Sequence, residues 1–180
     1  QFVEAQLDTL HNNEKVFGIS GTVFRANKVY HKPLLTNYAH IWGWYSTAEK
    51  WQRYQNFIKQ KAPRWKRELL FMKLSIKEWL YFTPKWMSFF TDTIDTWDYG
   101  VSFYCRAARN YFIVPPYNLV ENIGFDTSGT HQLRDIDNIS GHIQPVSFPL
   151  DTIPQINKLY DTNLLNTRIQ NKFRKLFHHE

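Results

Sequence analysis

Asp98 is the residue of this chain whose type and position are best suited to catalysis. It follows Thr96 and Trp97 at the predicted start of a helix, where the helix dipole and free backbone amides favour an ionised carboxylate. An ionised carboxylate can accept a proton from a hydroxyl group that is becoming a nucleophile. The alternative is that Asp98 only occupies the first helical turn, as many acidic residues do. Asp92 and Asp95 are interpreted as turn and capping residues.

His131 is the second candidate for chemistry. It lies in a predicted loop of small polar residues, after a strand-like run over Asn118 to Phe125. A neutral imidazole nitrogen can ligate a divalent cation, and an imidazole N–H can donate a hydrogen bond to a diphosphate. The alternative is a solvated histidine with no specific role.

The elements that must position these residues follow an α/β pattern. A short helix over Phe2 to Leu10 precedes a buried strand over 16–21. Ser46 or Thr47 supplies a cap for a helix that continues through Ile58. The alternation of helix and strand predicts a sheet with helices packed against it.

Two further elements follow near the candidate residues and the end of the chain. Thr96 is expected to cap a helix that leads into a strand over Tyr111 to Val114, which Pro115-Pro116 ends. A last basic helix is expected from about Asn163 to Phe177. The candidate base Asp98 is therefore expected at the start of the helix that precedes the strand over Tyr111 to Val114.

Basic and aromatic residues are interleaved over residues 59–93. From Trp65 to Trp79 the apolar positions recur at helical spacing while lysines line another face, which predicts one amphipathic helix ended by Pro84. Such a helix suits a surface that rests on an anionic membrane leaflet. The alternative is an insertion whose aromatics pack on the domain and whose lysines are solvated.

The composition limits the class of protein. A chain of 180 residues with 43% hydrophobic content is enough for one compact domain, and 17% aromatic content excludes a disordered tail. The net charge of +6 favours anionic partners: nucleotide diphosphates, lipid head groups or nucleic acid. A single cysteine excludes a disulfide framework and favours a reducing compartment, hence the cytoplasm. No apolar run reaches the roughly 18 residues of a membrane span.

Several segments also occur in one characteristic order. They are Ile19-Ser20-Gly21, Ile41-Trp42-Gly43-Trp44, Trp97-Asp98-Tyr99, the Asn-Leu-Val-x-Asn-Ile-Gly-Phe run at 118–125, and Thr130-His131. This order resembles the bacterial nucleotide-diphospho-sugar transferases related to hemolytic-protein-type and family 2 glycosyltransferases, over about residues 1–131. The chain departs from that pattern at Gly100, where a larger polar residue is expected, and at 126–129, where a more compact Gly-x-Asp-Ala type sequence is expected.

The resemblance implies a GT-A fold, a Rossmann-like sheet flanked by helices. Residues 1–150 are then expected to be the C-terminal part of the catalytic domain, with a helical insertion at about 59–93, and residues 151–180 a basic tail helix. The implied reaction is inverting transfer from a nucleotide-diphospho-sugar donor to a glycan or lipid-linked acceptor, with Asp98 as base. With the basic insertion, the expected location is cytoplasmic, at the inner face of the membrane.

The resemblance also implies a metal, Mg²⁺ or Mn²⁺, with His131 as the ligand candidate in this chain. The family's Asp-x-Asp metal site precedes the Ile-Ser-Gly strand, whereas Asp135-Ile136-Asp137 follows His131, so we interpret that match as fortuitous. The resemblance therefore implies that the sequence begins just after the family's metal-binding element.

The implied substrate-binding residues lie beside a strand end and in tryptophan-rich segments: Ser20, Gly21, Trp42, Gly43, Trp44 and Trp97. Ligands in α/β sheets gather beyond the carboxyl ends of strands, although a tight turn would produce the same Ser-Gly pair. Indole faces can stack on sugars, although core tryptophans would look the same. The rival from another class is a non-catalytic module that binds an anionic membrane or nucleic acid. Nucleic acid is the less favoured partner, because it gives no reason for the run at 118–125.

Overall fold

The computed structural model describes residues 1–23, 30–120, 153–156 and 158–177. Its helices are α1 (Phe2–Asn12), α2 (Ala48–Lys61), α3 (Trp65–Phe71), α4 (Ile76–Phe90), α5 (Asp98–Ala108) and α6 (Lys158–Phe177). Its strands are β1 (Val16–Ser20), β2 (Leu34–Thr36), β3 (Trp44–Tyr45), β4 (Tyr111–Val114) and β5 (Gln155–Ile156). The predicted α/β class is confirmed.

The five strands form one mixed sheet in the order β3-β1-β4-β2-β5. Strands β1 and β4 are parallel, with Ile19 opposite Ile113, so their carboxyl ends open on the same edge. Strand β2 runs antiparallel to β4 and β3 runs antiparallel to β1. A parallel pair needs a crossover connection, and helices α2 to α5 belong to it.

The core lies on both faces of the sheet. Helix α1 covers one face, where Leu10 packs with Ile19 and Ile113. On the other face Phe17 meets Phe112 at 5.6 Å between ring centroids, and the aromatic packing continues into α4 and α5. Edge-on ring pairs of this kind add to the stability that burial of the rings provides. Much of the unusual aromatic content is therefore core.

Several element boundaries match their predicted signals. Helix α2 begins after Thr47, whose hydroxyl accepts a hydrogen bond from the Lys50 amide at 3.2 Å, as the predicted cap requires. Helix α1, strand β1 and strand β4 also lie where they were expected. Helix α6 starts at Lys158, about one turn before its predicted start.

The single helix predicted from Trp65 to Trp79 is wrong. The chain leaves the helix at Met72, and Ser75 and Glu78 form a capping box that starts α4 afresh. The prediction that Pro84 ends this region is also wrong, since α4 continues to Phe90. Pro84 is exposed, so water can bond to the carbonyl that lacks its amide partner.

Among the helices that the structure describes, none combines the length and the apolar character needed to cross a membrane.

Candidate active site

Asp98 is the first residue of α5 and lines a cavity of about 180 Å³. The N-cap residue is Trp97, which provides no side-chain cap, so the prediction that Thr96 caps this helix is wrong. The first backbone amides of α5 therefore depend on other partners. A carboxylate in this first turn interacts favourably with the helix dipole. The Thr96 hydroxyl donates a hydrogen bond to the Asp98 carboxylate and so restricts its orientation.

The cavity walls come from α4, α5, α6 and the segment between β2 and β3. Trp42, Tyr38 and Tyr99 supply aromatic surface, and the charged groups are Asp98, Lys85 and Arg168. Two cations face one carboxylate, so the cavity favours a ligand that carries negative charge. Of the predicted site residues, Asp98 and Trp42 are thus brought together.

Lys85 is positioned against aromatic rings at the cavity. Its ammonium lies 3.6 Å from the centroid of the Tyr81 ring and 5.6 Å from that of Tyr99, which are cation–π distances. Burial, and then the negative charge of Asp98, raise the pKa of Tyr99. The Tyr99 phenol therefore keeps its proton at neutral pH and can donate a hydrogen bond.

Arg168 reaches the cavity because α6 docks on the segment that carries His40. Tyr160 of α6 is buried, and its hydroxyl lies 3.2 Å from His40 Nε2. Burial, and then the charge of Arg168, lower the pKa of His40, so its ring is neutral at physiological pH. Sequence reasoning missed Arg168 and Lys85 as cavity residues, since only the tertiary fold joins them.

Ser20 and Gly21 tie the end of β1 to the segment that carries Trp42. Ser20 Oγ lies 3.3 Å from the Trp42 carbonyl oxygen, and the Gly21 amide donates to the Gly43 carbonyl at 2.9 Å. The Leu119 amide in turn donates to the Gly21 carbonyl at 2.9 Å. Three of the segments that carry the resemblance therefore meet at one junction, which holds the backbone of Trp42 and Gly43.

The two glycines of this junction leave no room for a side chain. Gly43 has φ +57°, and a Cβ there would lie 2.4 Å from Cγ1 of Val120. A Cβ on Gly21 would lie 2.8 Å from the same methyl group. Both positions therefore require glycine for a packing reason, and Gly43 requires it for its backbone as well.

Trp44 and Trp97 form a cluster with Trp51. The Trp44 ring centroid lies 5.5 Å from that of Trp97 and 5.8 Å from that of Trp51. Trp97 remains 43% exposed, whereas Trp44 is half-buried and also stacks on Phe17. These two predicted substrate-binding residues flank the start of α5 and are not in the described lining of the Asp98 cavity.

Gly100 packs closely against two aromatic side chains. A Cβ at this position would lie 2.5 Å from both the Phe89 ring and the Tyr54 hydroxyl. A larger residue between α2, α4 and α5 would therefore require both side chains to move. Glycine at this position thus allows α5 to pack closely on α2 and α4.

A polar network that the sequence did not predict lies beside the cavity. The Arg106 guanidinium contacts the Glu78 carboxylate at 2.5 Å, and Tyr38 donates to the same carboxylate oxygen at 3.1 Å. Asp161 accepts a hydrogen bond from Thr36, and burial raises its pKa to about 6. The one available signal was the Ser-x-x-Glu cap that includes Glu78.

His131 lies outside the described residues, as do residues 135–137. Within the described ranges, no group of three or more His, Cys, Asp or Glu side chains is placed to hold a metal ion. The Mg²⁺ or Mn²⁺ implied by the family resemblance thus remains a prediction. No protein family, curated protein or solved structure compared with the chain matches it.

Proposed function

We propose that this protein is a glycosyltransferase that moves a sugar from a nucleotide-diphosphate donor to a glycan or lipid-linked acceptor, with Asp98 as general base. The observation that supports this most is that Asp98 and Trp42 line one cavity. One was predicted as the base and the other as a sugar-stacking residue, from separate parts of the chain. The mixed sheet with its parallel β1–β4 pair is compatible with the GT-A fold, which is part of this proposal.

The proposed reaction is a single displacement. The Asp98 carboxylate takes the proton from an acceptor hydroxyl as its oxygen forms a bond to the anomeric carbon of the donor sugar. The bond between that carbon and the phosphate oxygen breaks, and the nucleoside diphosphate leaves with the electron pair. Because attack and departure occur on opposite faces, the anomeric configuration inverts.

Three residues of the cavity, and Thr96 beside it, have distinct parts in this reaction. Thr96 orients Asp98 through its hydroxyl, and the indole face of Trp42 packs on the apolar face of a sugar. Lys85 and Arg168 place positive charge where an anionic ligand or a developing negative charge is stabilised electrostatically. A divalent cation would add to this stabilisation, but the described residues offer no ligand group for one.

The direct test is Asp98→Asn in the full-length protein, with release of nucleoside diphosphate from a panel of nucleotide sugars as the readout. Loss of the base should lower kcat by about 10²- to 10⁴-fold, because Asn cannot accept the proton. The affinity for the donor should change little. Asp95→Asn is the matched control, since Asp95 is exposed and lies three residues before Asp98, in the loop that precedes α5, but not in the cavity lining.

Two results would contradict the proposal. If Asp98→Asn keeps the wild-type turnover, Asp98 has no role as base. If the wild-type protein neither binds nor turns over any nucleotide sugar, the glycosyltransferase assignment itself fails, and a binding module becomes the better interpretation of the chain.

A further inference from the structure

Large apolar side chains are exposed where α3 meets α4. Leu70 and Ile76 are 83% and 80% exposed, and Phe71, Trp79 and Leu80 are each more than half exposed. All five fall within residues 70–80, around the break at Met72 to Ser75. We name residues 66–80 the α3–α4 tip. Isolated exposed apolar residues are ordinary, but a contiguous group of this kind marks an interaction site.

The core does not need this apolar face. Helix α4 is apolar on two sides: Phe82 and Trp86 point into the core, whereas Ile76, Leu80 and Met87 lie at positions i, i+4 and i+11 and are exposed. A helix that packs on one side only would normally carry polar residues on the other. The second apolar side of α4 is therefore exposed and does not contribute to the core.

Among the described residues of and around the tip, the charges that face solvent are positive. Arg64, Lys66, Arg67 and Lys73 are all exposed. The acidic residues between positions 62 and 90 are Glu68 and Glu78. Each is already paired with a cation of the protein, Glu68 with Lys61 at 3.0 Å and Glu78 with Arg106 at 2.5 Å. The two acidic residues of this segment therefore do not neutralise the exposed cations that border the apolar tip.

We propose that the α3–α4 tip docks on the surface of an anionic lipid bilayer. Leu70, Ile76 and Leu80 insert at the boundary between head groups and acyl chains, while Lys66 and Lys73 lie at the level of the lipid phosphates. Helices that combine an apolar face with a basic border bind membranes in this way. The proposal does not depend on the glycosyltransferase assignment, because none of these residues lines the Asp98 cavity.

The charge and the side-chain types favour lipid over other partners. Two copies of the chain that met through the tip would bring their cationic borders together, which is unfavourable. Single-stranded nucleic acid binds mainly through aromatic rings that stack on its bases, whereas the two most exposed apolar residues of the tip, Leu70 and Ile76, are aliphatic. An anionic bilayer complements both the apolar and the cationic parts of the surface.

The test is sedimentation of the full chain with vesicles of phosphatidylcholine and phosphatidylglycerol, compared with vesicles of phosphatidylcholine alone. We expect binding to the anionic vesicles that weakens as salt is raised. Leu70→Ser/Ile76→Ser/Leu80→Ser should lower the partition coefficient by about 100-fold or more, because three exposed side chains lose their apolar contact with lipid. Ile153→Ser/Ile156→Ser, which changes two exposed apolar residues elsewhere, should leave it unchanged.

The contribution of charge is measured with a matched pair of lysine variants. Lys73→Gln should lower partition about fivefold, the factor expected for one cation at an anionic surface. Lys32→Gln, which alters another exposed lysine outside the tip, should have no such effect. Quenching of Trp79 fluorescence by brominated lipid, lost in Trp79→Phe, would place the tip in the interface.

Three outcomes would overturn the proposal. The first is that wild-type protein does not sediment with anionic vesicles. The second is that the triple Ser variant, shown to be folded by circular dichroism, binds as the wild type does. The third is that sedimentation velocity finds a dimer that the triple variant dissociates while vesicle binding is absent, which would make a second copy the partner.

Discussion

Gly43→Ala tests how much the close packing of Gly43 on Val120, at the junction next to Trp42, contributes to the stability of the fold. The left-handed backbone at φ +57° costs an Ala residue about 1–2 kcal/mol. The new Cβ would also lie 2.4 Å from Cγ1 of Val120, and relief of such overpacking costs a further 1–3 kcal/mol or so. We expect the free energy of unfolding to fall by about 3 kcal/mol.

The two contributions can be separated by a double-mutant cycle in urea denaturation. Val120→Ala removes the methyl group that the new Cβ would meet, but it does not change the backbone of Gly43. The cost of Gly43→Ala should therefore be smaller by about 1–2 kcal/mol in the Val120→Ala background, which leaves the backbone contribution. Val120→Ala alone is the control.

The reasoning would be refuted by either of two results. If Gly43→Ala changes the unfolding free energy by less than about 0.5 kcal/mol, the position needs neither its φ nor its packing. If the two substitutions are additive to within about 0.3 kcal/mol, the side chain at 120 is not the obstacle. The m-value should stay constant across the cycle for the comparison to hold.

The polar network beside the cavity gives two further predictions. Burial raises the pKa of Asp161 to about 6, so the stability from this group is full below about pH 4 and is lost as the pH rises through 6. Asp161→Asn should reduce the pH dependence of unfolding over that range by about 3 kcal/mol, measured by urea titration at pH 4 and pH 8; an unchanged profile would contradict it. Arg106→Met leaves the Glu78 carboxylate without its cation and should cost about 3 kcal/mol, of which Glu78→Gln in the same chain should restore part. Thermal denaturation at pH 7 measures these changes in stability. Equal stability of Arg106→Met and the double variant Arg106→Met/Glu78→Gln would contradict the prediction.

Local sequence signals predicted the elements whose ends depend on neighbouring residues. Thr47 caps α2 as expected, because its hydroxyl accepts a hydrogen bond from a free backbone amide of the first turn. Thr96 carries the same signal before α5, but its hydroxyl donates to the Asp98 carboxylate and α5 has no side-chain cap. The prediction of one continuous helix from Trp65 was wrong because the helical spacing of apolar residues continues across the break between Met72 and Ser75. The Ser75 to Glu78 capping box was the competing local signal, and it determines the structure there.

Only some of the residues that line the cavity could be predicted from the sequence. Asp98 and Trp42 were predicted from the Trp97-Asp98-Tyr99 and Ile41-Trp42-Gly43-Trp44 segments. The sequence around Arg168 gives no signal that α6 places this residue beside them. That placement depends on the burial of Tyr160 against His40, a contact between residues far apart in the chain. Packing decides such contacts, and packing is not local in sequence.

The parallel pairing of β1 with β4 also has a consequence for how the chain acquires its fold. Ile19 pairs with Ile113, so this contact closes a loop of about 90 residues, which makes it entropically costly and slow to form. Strand β4 lies between β1 and β2 in the sheet, yet it is synthesised after both. During synthesis, the hydrogen-bonding edges of β1 and β2 that face β4 therefore stay unpaired until residue 114 has left the ribosome. The nascent chain is exposed to unwanted strand pairing during that interval.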